Sequence, residues 1–457
     1  MRHPSALTII LAQRLWQAGS GLITIVLVTR FLSPTEQGWY YSLLSFAALY
    51  TLFDLGLSYA LLQAAAQTFV GLTWRTGGRF EGTHTDQFEA LAAWSARHYM
   101  RLSLGFFAIV TPAGFALFGY PPSPLVSWQL PWLALSGASG ATLLLLPFVA
   151  IVEGSGRVTE VYSIRLIQGV VAAIACWIAL FTGAGLWVVV VAPFAAAVTQ
   201  CAWLAKRKPF LLSLAWQGSQ RRINWRREIW PHQWQIGLAW LSGYLLTQIY
   251  TLVLLKTQDA IVAGQMGLTL TASNMLGLLA QSWITRHVPA MARAATLGKW
   301  DEFEGVFRRD LILSSLAFLG GGLALSCAYW LLSDTSFVGR LLPFWPFAGV
   351  LAVGFMGHLQ NSLAAQLRSF RREPLLWVSI AGAILTMAGA FWGAIHYSAS
   401  GVVVAMLTVQ AVAVLPMSIA IWRQYRRNWR TSVGRDRASP DYRNPDLEPV
   451  VLPGLDA

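Results

Sequence analysis

The sequence predicts an all-α, polytopic membrane protein in which twelve transmembrane helices form two six-helix lobes around a central cavity. Three observations support this prediction. The 457-residue chain is 56% hydrophobic and 12% charged, and the charged share is about half of what is usual in soluble domains. Twelve apolar runs approach the length of about 20 residues that a membrane-spanning helix needs. The basic residues fall mainly between these runs.

The twelve apolar runs follow one another along the chain. Two of them contain prolines, Pro112 in the third and Pro343 and Pro346 in the tenth, which membrane helices tolerate when neighbouring groups satisfy the backbone. The first run is too long for the apolar core of a signal peptide and contains Arg14, so we expect it to remain as the first helix. The runs lie near residues 6–28, 39–65, 102–119, 128–152, 161–181, 185–205, 233–255, 260–285, 311–332, 341–366, 374–397 and 401–422.

Lysine and arginine residues are distributed unequally between the two sides of the predicted membrane. With the amino terminus in the cytoplasm, 28 of the 33 Lys and Arg residues fall in cytoplasmic segments, and only Arg30, Lys256 and Arg340 fall in outer loops. This bias follows the positive-inside rule and predicts that both termini are cytoplasmic. The net charge of +13 then reflects orientation. We expect no nucleic-acid partner, because nucleic-acid binders collect their charge in a patch on a soluble fold.

A basic loop in the middle of the chain divides the twelve spans into two groups of six. Because six is even, the two groups enter the membrane in the same orientation, and any repeat between them is a parallel one. Gly38 and Gly264 occupy similar places, at the re-entry into the next helix. We predict a first lobe over 1–205, a basic cytoplasmic linker over 206–232, a second lobe over 233–422 and a basic, disordered cytoplasmic tail over 423–457.

The sequence lacks the motifs that would support catalysis or a bound cofactor. It contains no phosphate-binding Gly-x-x-x-x-Gly-Lys-Ser/Thr loop, no His-Glu-x-x-His, no Cys-x-x-Cys and no Gly-x-Ser-x-Gly. Cys176, Cys201 and Cys327 all lie in apolar runs and show no metal-binding spacing. The outer loops are too short for a catalytic domain. We therefore predict that the protein is not an enzyme and has no catalytic residues, no cofactor and no metal site.

The first predicted helix carries a charge in its middle. An arginine at the centre of a bilayer costs about 2.5–3.5 kcal/mol on insertion scales and is a functional-site hypothesis by default. Arg14 shares a polar stripe with Gln13 and Gln17, since polar residues recur there at helical spacing. Asp54, on the second predicted helix, is a structural partner that pairs with Arg14 or a coupling group that binds an ion.

Polar residues also occur in other predicted helices, namely Arg165 and Gln168 in the fifth, Gln248 in the seventh, and His358 and Asn361 in the tenth. Each has a structural alternative. Arg165 can extend to the lipid headgroups, and the amides can join neighbouring helices. His358 is either a satisfied interior histidine or a proton carrier. Both deep cations lie in the first half, which suits an anionic, hydroxyl-rich substrate, because guanidinium groups match phosphate oxygens.

Five stretches of the sequence resemble Wzx-like polysaccharide exporters. These proteins are lipid-linked oligosaccharide flippases of the multidrug/oligosaccharidyl-lipid/polysaccharide exporter superfamily. The stretches are spread over both halves, so the resemblance covers nearly the whole chain. They are TRFLSPTEQGWYYSLLSFAALYTLFDLGLSYALLQ (29–63), VEGSGRVTEVYSIRLIQ (152–168), WRREIWPHQWQIGLAWLSGYL (225–245), AGQMGLT (263–269) and LRSFRREP (367–374).

The resemblance implies a flippase with alternating access in a bacterial inner membrane. Its substrate would be an undecaprenyl-diphosphate-linked oligosaccharide, moved to the outer leaflet during synthesis of a surface polysaccharide such as O-antigen or an exopolysaccharide. Arginines in the cavity would hold the diphosphate, and by position Arg14 and Arg165 match. Membrane lipid and other membrane proteins of polysaccharide assembly are further partners that it implies.

Two other functions remain open at this point. The first is an ion-coupled exporter of small organic molecules in the same superfamily, which would need a functional carboxylate such as Asp54. The second is a membrane glycan polymerase or ligase, which would need catalytic groups on a sizeable outer loop. The outer loops of this chain, of which 32–38, 120–127 and 333–340 are the longest candidates, offer little room for such groups.

Overall fold

The computed structural model describes residues 6–83, 85–119, 126–214, 230–368 and 374–436. Within these ranges the chain is helical apart from short connections and one antiparallel pair of strands, β1 (Leu72–Trp74) and β2 (Phe80–Gly82). The helices of the first half are α1 (Ala6–Phe31), α2 (Pro34–Ala47), α3 (Tyr50–Asp54), α4 (Leu57–Thr68), α5 (Thr85–Phe118), α6 (Gln129–Gly154), α7 (Val158–Phe181), α8 (Val188–Arg207) and α9 (Pro209–Leu214).

The second half continues with longer helices. One turn of π-helix, Gln410–Val414, lies between the last two of them. The helices are α10 (Trp230–Thr247), α11 (Ile249–Thr257), α12 (Ala260–Thr296), α13 (Trp300–Leu331), α14 (Phe344–Arg368), α15 (Leu376–Val409) and α16 (Leu415–Asp436).

These helices correspond to the twelve predicted spans. Among the described residues, seven helical segments are long and apolar enough to cross a membrane, and two bent pairs pass the same test together. One of the seven, Leu376–Arg427, doubles back on itself and supplies two spans. α12 and α14 are long enough but more polar, since each lines a cavity. The predicted fold class is therefore confirmed.

Two of the predicted spans are bent rather than straight. In the second span the chain bends by 40° between α3 and α4, where Leu55 and Gly56 both have positive φ, 45° and 71°. In the seventh span α10 and α11 meet at 42° beside Gln248. The hydropathy of the sequence does not predict such bends, because the apolar run continues through them.

The eleventh and twelfth predicted spans form a hairpin that has almost no loop. The helical path reverses at Tyr397 and Ser398, whose backbone angles are not helical. The two arms then touch through glycines, since a Cβ atom on Gly393 would lie 2.5 Å from the carbonyl carbon of Gly401. Farther along, a Cβ atom on Gly389 would lie 3.1 Å from the Cβ atom of Ala405. The arms therefore pack in antiparallel contact along their length.

The last helix extends beyond the predicted membrane boundary. α16 runs to Asp436, whereas the sequence predicted that the span ends at 422 and that a disordered tail begins at 423. Two contacts hold the extension: the Arg426 guanidinium donates to both Glu304 carboxylate oxygens at 3.0 and 2.7 Å, and Trp422 Nε1 donates to Gln366 Oε1 at 2.6 Å. The rest of the predicted tail, 437–457, lies outside the described residues.

A small cap that the sequence did not predict lies at the predicted cytoplasmic end of the first half. It consists of the β1–β2 hairpin, against which Lys208 from the predicted linker packs. The Lys208 ammonium lies 4.2 Å from the centre of the Trp74 ring and 3.3 Å from a Glu160 carboxylate oxygen. Burial lowers the pKa of Lys208, and the Glu160 carboxylate opposes that shift. Linker residues 215–229 lie outside the described ranges.

The two halves meet most closely near the predicted outer end, where α2 crosses α12. A Cβ atom on Gly38 would lie 1.7 Å from the carbonyl oxygen of Ala260, and one on Gly264 would lie 2.8 Å from the backbone nitrogen of Gly38. Small residues allow helix backbones to approach in this way. Gly38 and Gly264, which the sequence placed at similar positions in the two halves, thus contact each other directly.

Hydrogen bonds from Gln37 and Arg340 secure this crossing. Gln37 is buried, and its Nε2 donates to the carbonyl oxygens of Gly264 at 3.0 Å and Arg340 at 3.1 Å. In return the Arg340 guanidinium donates to the Leu32 carbonyl oxygen at 2.8 Å. We call the Gly38–Gly264 contact together with these hydrogen bonds the outer closure.

Gly38→Val is expected to weaken the outer closure. The added methyl groups would need space that the α12 backbone already fills, and overpacking of this kind costs about 1–3 kcal/mol. The ratio of closed to open outer ends should fall by about tenfold. A Thr271→Cys reporter in the cavity below should then react faster with a membrane-impermeant maleimide, in a background without Cys176, Cys201 and Cys327.

The matched control is Gly19→Val on α1, because a Cβ atom on Gly19 meets nothing within 4 Å. It should leave the labelling rate unchanged. Equal labelling of the Gly38→Val and Gly19→Val proteins would show that the crossing does not close the outer end.

Candidate functional site

A cavity of about 440 Å³ lies between the two halves, beneath the outer closure. We call it the central cavity. The polar stripe of α1 forms one wall, with Gln17, Ser20 and Thr24. The second half supplies the opposite wall from α10–α12 and the break between them, with Gln248, Thr251, Thr271 and Asn274 among its residues.

A second cavity, of about 540 Å³, lies within the second half. We call it the second-half cavity. α10, α12, α14 and α15 line it, and amide side chains are prominent on its walls. Those amides are Gln248, Asn274, Gln281, Gln360, Asn361 and Gln410. Gln248 and Asn274 also line the central cavity, so the two cavities adjoin.

The two cavities are almost free of charge. Among the described residues that line either one, none is Asp or Glu, and Arg368 at the predicted cytoplasmic end of α14 is the one cation. Such walls offer hydrogen bonds to hydroxyl and amide groups. They offer no carboxylate to a cationic ligand.

Arg14 continues the cavity-lining stripe of α1 toward the predicted cytoplasmic end. It precedes Gln17 by three residues and Gly21 by seven, so all three lie on one face of the helix. Its side chain is partly buried, and within the described part of the chain no hydrogen bond or ion pair reaches it. Arg14 therefore lies one helical turn from Gln17, the nearest residue of this stripe that lines the central cavity.

Arg165 lies at nearly the same level on the adjacent helix. α1 and α7 run side by side, with Trp16 against Gly169 and the Trp177 indole donating to Thr24. At 1.5 Å per residue, this register places Arg14 and Arg165 within about 3 Å of the same height. Arg165 is already paired in this structure: its guanidinium donates to Glu153 at 2.8 Å and lies over the Tyr162 ring.

Asp54 does not pair with Arg14, so the predicted Arg–Asp strut is not formed. Its carboxylate is fully buried and accepts hydrogen bonds from the Tyr99 hydroxyl and from the Ser58 hydroxyl at 2.8 Å and backbone nitrogen at 3.2 Å. In this structure these hydrogen bonds connect Asp54, at the end of α3, with α4 and α5. This arrangement is what a structural role for Asp54 predicts.

Of the other predicted residues, some contact a neighbouring side chain and some line a cavity. Gln13 Nε2 donates to Gln17 Oε1 at 3.4 Å, within the same helix. Gln168 contacts Gln200 on α8 at 3.4 Å, which is the interhelical alternative. Asn361 and His358 both line the second-half cavity.

Several polar residues of the second half were not singled out from the sequence. Asn274, Gln281, Gln360 and Gln410 line the second-half cavity, and their spacing on amphipathic helices was the available signal. Asp310 is another: it is buried and bonded to His287, and it was missed because it falls at the edge of an apolar run.

The chain matches no protein-family model and no curated protein. Solved structures do share its fold. The MATE multidrug transporter DinF-BH has a TM-score of 0.61 and 13% identity over 92% of this chain and 95% of that one. The lipid II flippase MurJ, in an inward closed conformation, has a TM-score of 0.58 and 9% identity over 96% and 94%.

A third structure with this fold is a MOP superfamily transporter from Pyrococcus furiosus Vc1 (DSM3638), described as having a binding pocket of reverse polarity. Its TM-score is 0.53, with 12% identity over 93% of this chain and 97% of that one. The chain thus shares the fold of these three proteins, which are described as transporters or flippases. The narrower likeness to Wzx-like exporters remains a prediction.

Asp54→Asn is expected to destabilise the protein without abolishing transport. The amide can accept fewer hydrogen bonds than the carboxylate, so the free energy of unfolding should fall by about 1–3 kcal/mol. Thermal unfolding in detergent measures the loss, and transport is normalised to folded protein. Ser58→Ala, which removes one donor, is the milder control. A stable but inactive Asp54→Asn protein would contradict the structural role and favour an ion-coupling one.

Proposed function

We propose that the protein is a flippase that moves undecaprenyl-diphosphate-linked oligosaccharides from the cytoplasmic to the outer leaflet of a bacterial inner membrane, for surface polysaccharide synthesis. The observation that carries the proposal is the position of Arg14. It has no described ion-pair partner and continues the wall of a cavity whose described lining contains no carboxylate. An anion with hydroxyl-bearing groups fits this combination.

Arg14 would bind the diphosphate, and Arg165 would join it from the same level of α7. A planar guanidinium donates two parallel hydrogen bonds to phosphate oxygens. Arg165 is 38% exposed and its partner Glu153 is 14% exposed, so the pair is accessible to a competing anion. The diphosphate would then displace Glu153. The sugars would occupy the amide-lined space near Gln17 and Gln248, and the prenyl chain would stay in lipid.

Transport would proceed by alternating access of the two predicted lobes, with both termini in the cytoplasm. The outer closure is the contact that has to open for release to the outside. Outward movement of an anion is favoured by a negative-inside potential, by about 2.3 kcal/mol per charge per 100 mV. The reaction would thus need no ATP. Membrane lipid and other polysaccharide-assembly proteins are the partners we propose.

An ion-coupled exporter of small organic molecules is the second candidate, because a described multidrug transporter shares the fold. It predicts a carboxylate that faces the cavity. Within the described part of the chain, the cavity walls contain none, and Asp54 is bonded elsewhere. These observations favour the flippase over an exporter of cationic drugs.

Arg14→Ala and Arg14→Lys test the proposal directly. A hydrogen bond to a charged group contributes about 1.5–3 kcal/mol, so Arg14→Ala should slow flipping of an undecaprenyl-diphosphate-linked sugar in proteoliposomes by about 10- to 100-fold. Arg14→Lys should recover part of the rate. Arg30→Ala, at the outer end of the same helix, is the matched control. Normal flipping by both Arg14 variants at normal abundance would refute the clamp.

Glu153→Gln tests the contribution of Arg165. Removing the carboxylate that neutralises the guanidinium should tighten binding of inorganic pyrophosphate by about tenfold, measured by titration calorimetry on the purified protein. Arg165→Gln should abolish this gain in the double variant. Unchanged pyrophosphate affinity in Glu153→Gln would exclude Arg165 from the clamp.

A further inference from the structure

Two glycines in the wall of the second-half cavity have no packing reason to be glycine. Gly243 lies inside α10 and Gly357 inside α14, and a Cβ atom on either would meet nothing within 4 Å. Apart from proline, glycine is the least favourable residue inside a helix. Gly354, one turn from Gly357, differs: its Cβ atom would lie 2.2 Å from the Ser273 hydroxyl oxygen. Gly243 and Gly357 therefore widen the cavity where close packing does not require it.

The same cavity contains a buried polar atom that lacks a partner. His358 is 3% exposed and uses its Nε2 to contact the Ser314 hydroxyl at 3.1 Å. Its Nδ1 is buried and, within the described ranges, has no hydrogen-bond partner. Buried polar atoms are nearly always satisfied, so His358 leaves one unsatisfied hydrogen-bonding atom beneath the wall of this cavity.

The amides around His358 form a connected, uncharged surface. Gln410, at the first position of the π-helical turn, donates to Gln360 at 3.1 Å, and Gln360 donates to Ser379 at 3.3 Å. π-Helical turns are frequent at functional sites. A volume of about 540 Å³ lies in the range of small-molecule sites. These side chains match groups that both donate and accept hydrogen bonds.

We infer that the second-half cavity is a binding site for uncharged sugar residues, with hydroxyl and acetamido groups bonded to the amides that line it. This inference rests on the proposed flippase function and deepens it. Phosphate is bound at the cavity mouth in the first half, and the glycan beyond it extends into the second half. Gly243 and Gly357 set how much glycan the cavity accommodates.

Filling the two glycine positions tests this assignment. Gly243→Leu and Gly357→Leu should fold normally, because leucine favours the helix and has open space. In proteoliposomes they should slow the flipping of undecaprenyl diphosphate carrying a longer neutral glycan by about tenfold. Flipping of undecaprenyl diphosphate carrying a single N-acetylglucosamine should stay within about twofold of the unmodified protein.

The matched control is Gly320→Leu on α13, where a Cβ atom also meets nothing within 4 Å but which lines neither cavity. It should change neither rate. If a leucine variant lowers the melting temperature, the Ala and Val substitutions at the same positions give a graded series, in which the rate for the longer glycan should fall with side-chain size at constant stability.

Three results would overturn the assignment. Flipping of the longer glycan at the control rate would show that the glycan does not enter this cavity. Equal slowing of both substrates would show that the cavity serves the conformational cycle instead. A flat response across the Ala–Val–Leu series would have the same meaning as the first result. Failure of the unmodified protein to flip either substrate would instead refute the proposed function itself.

Discussion

Backbone contact between α2 and α12 is the constraint on which the cavity arrangement depends. At Gly38 and Gly264 there is no room for a Cβ atom, so the two halves approach to the limit that the main chain allows. Helices that touch at one level and bend below it enclose space, and the central cavity lies in that space. The bend at Leu55–Gly56 occurs in the span that contains α2, and the bend beside Gln248 occurs in the span that precedes α12.

Charged residues that are bonded to a neighbour differ in this structure from the charged residue that is a candidate for ligand binding. Asp54, Glu153 and Asp310 are each bonded to a defined neighbour, as expected where water is excluded. Arg14 departs from this pattern within the described part of the chain. An arginine keeps its charge when it is buried, so we expect a bound anion to offset that cost. The described cavity walls contain no carboxylate that could compete with such an anion, and Glu153 is paired with Arg165.

Sequence reasoning reached the fold because bilayer thickness and loop charge constrain it strongly. It also found Gly38 and Gly264 at matching positions, although not that they touch. It could not predict which neighbour a polar side chain contacts, because that depends on how each helix is rotated about its axis. Arg14 and Asp54 lie on successive spans, yet Asp54 is hydrogen-bonded to Tyr99. The sequence did not predict the β1–β2 cap, because its short strands lie in a polar loop. It did not predict the second-half cavity either, because four helices that are separate in the sequence line that cavity.

The reversal at Tyr397 and Ser398 has a consequence for how the protein is made. Only two residues, Tyr397 and Ser398, separate the two helical arms, so the arms have no extended loop between them. The glycine contacts between the arms form only when both arms are present. We therefore expect the eleventh and twelfth spans to enter the membrane together, as one hairpin. The two arms of that hairpin supply one wall of the second-half cavity. The earlier helices α10, α12 and α14 supply the other walls.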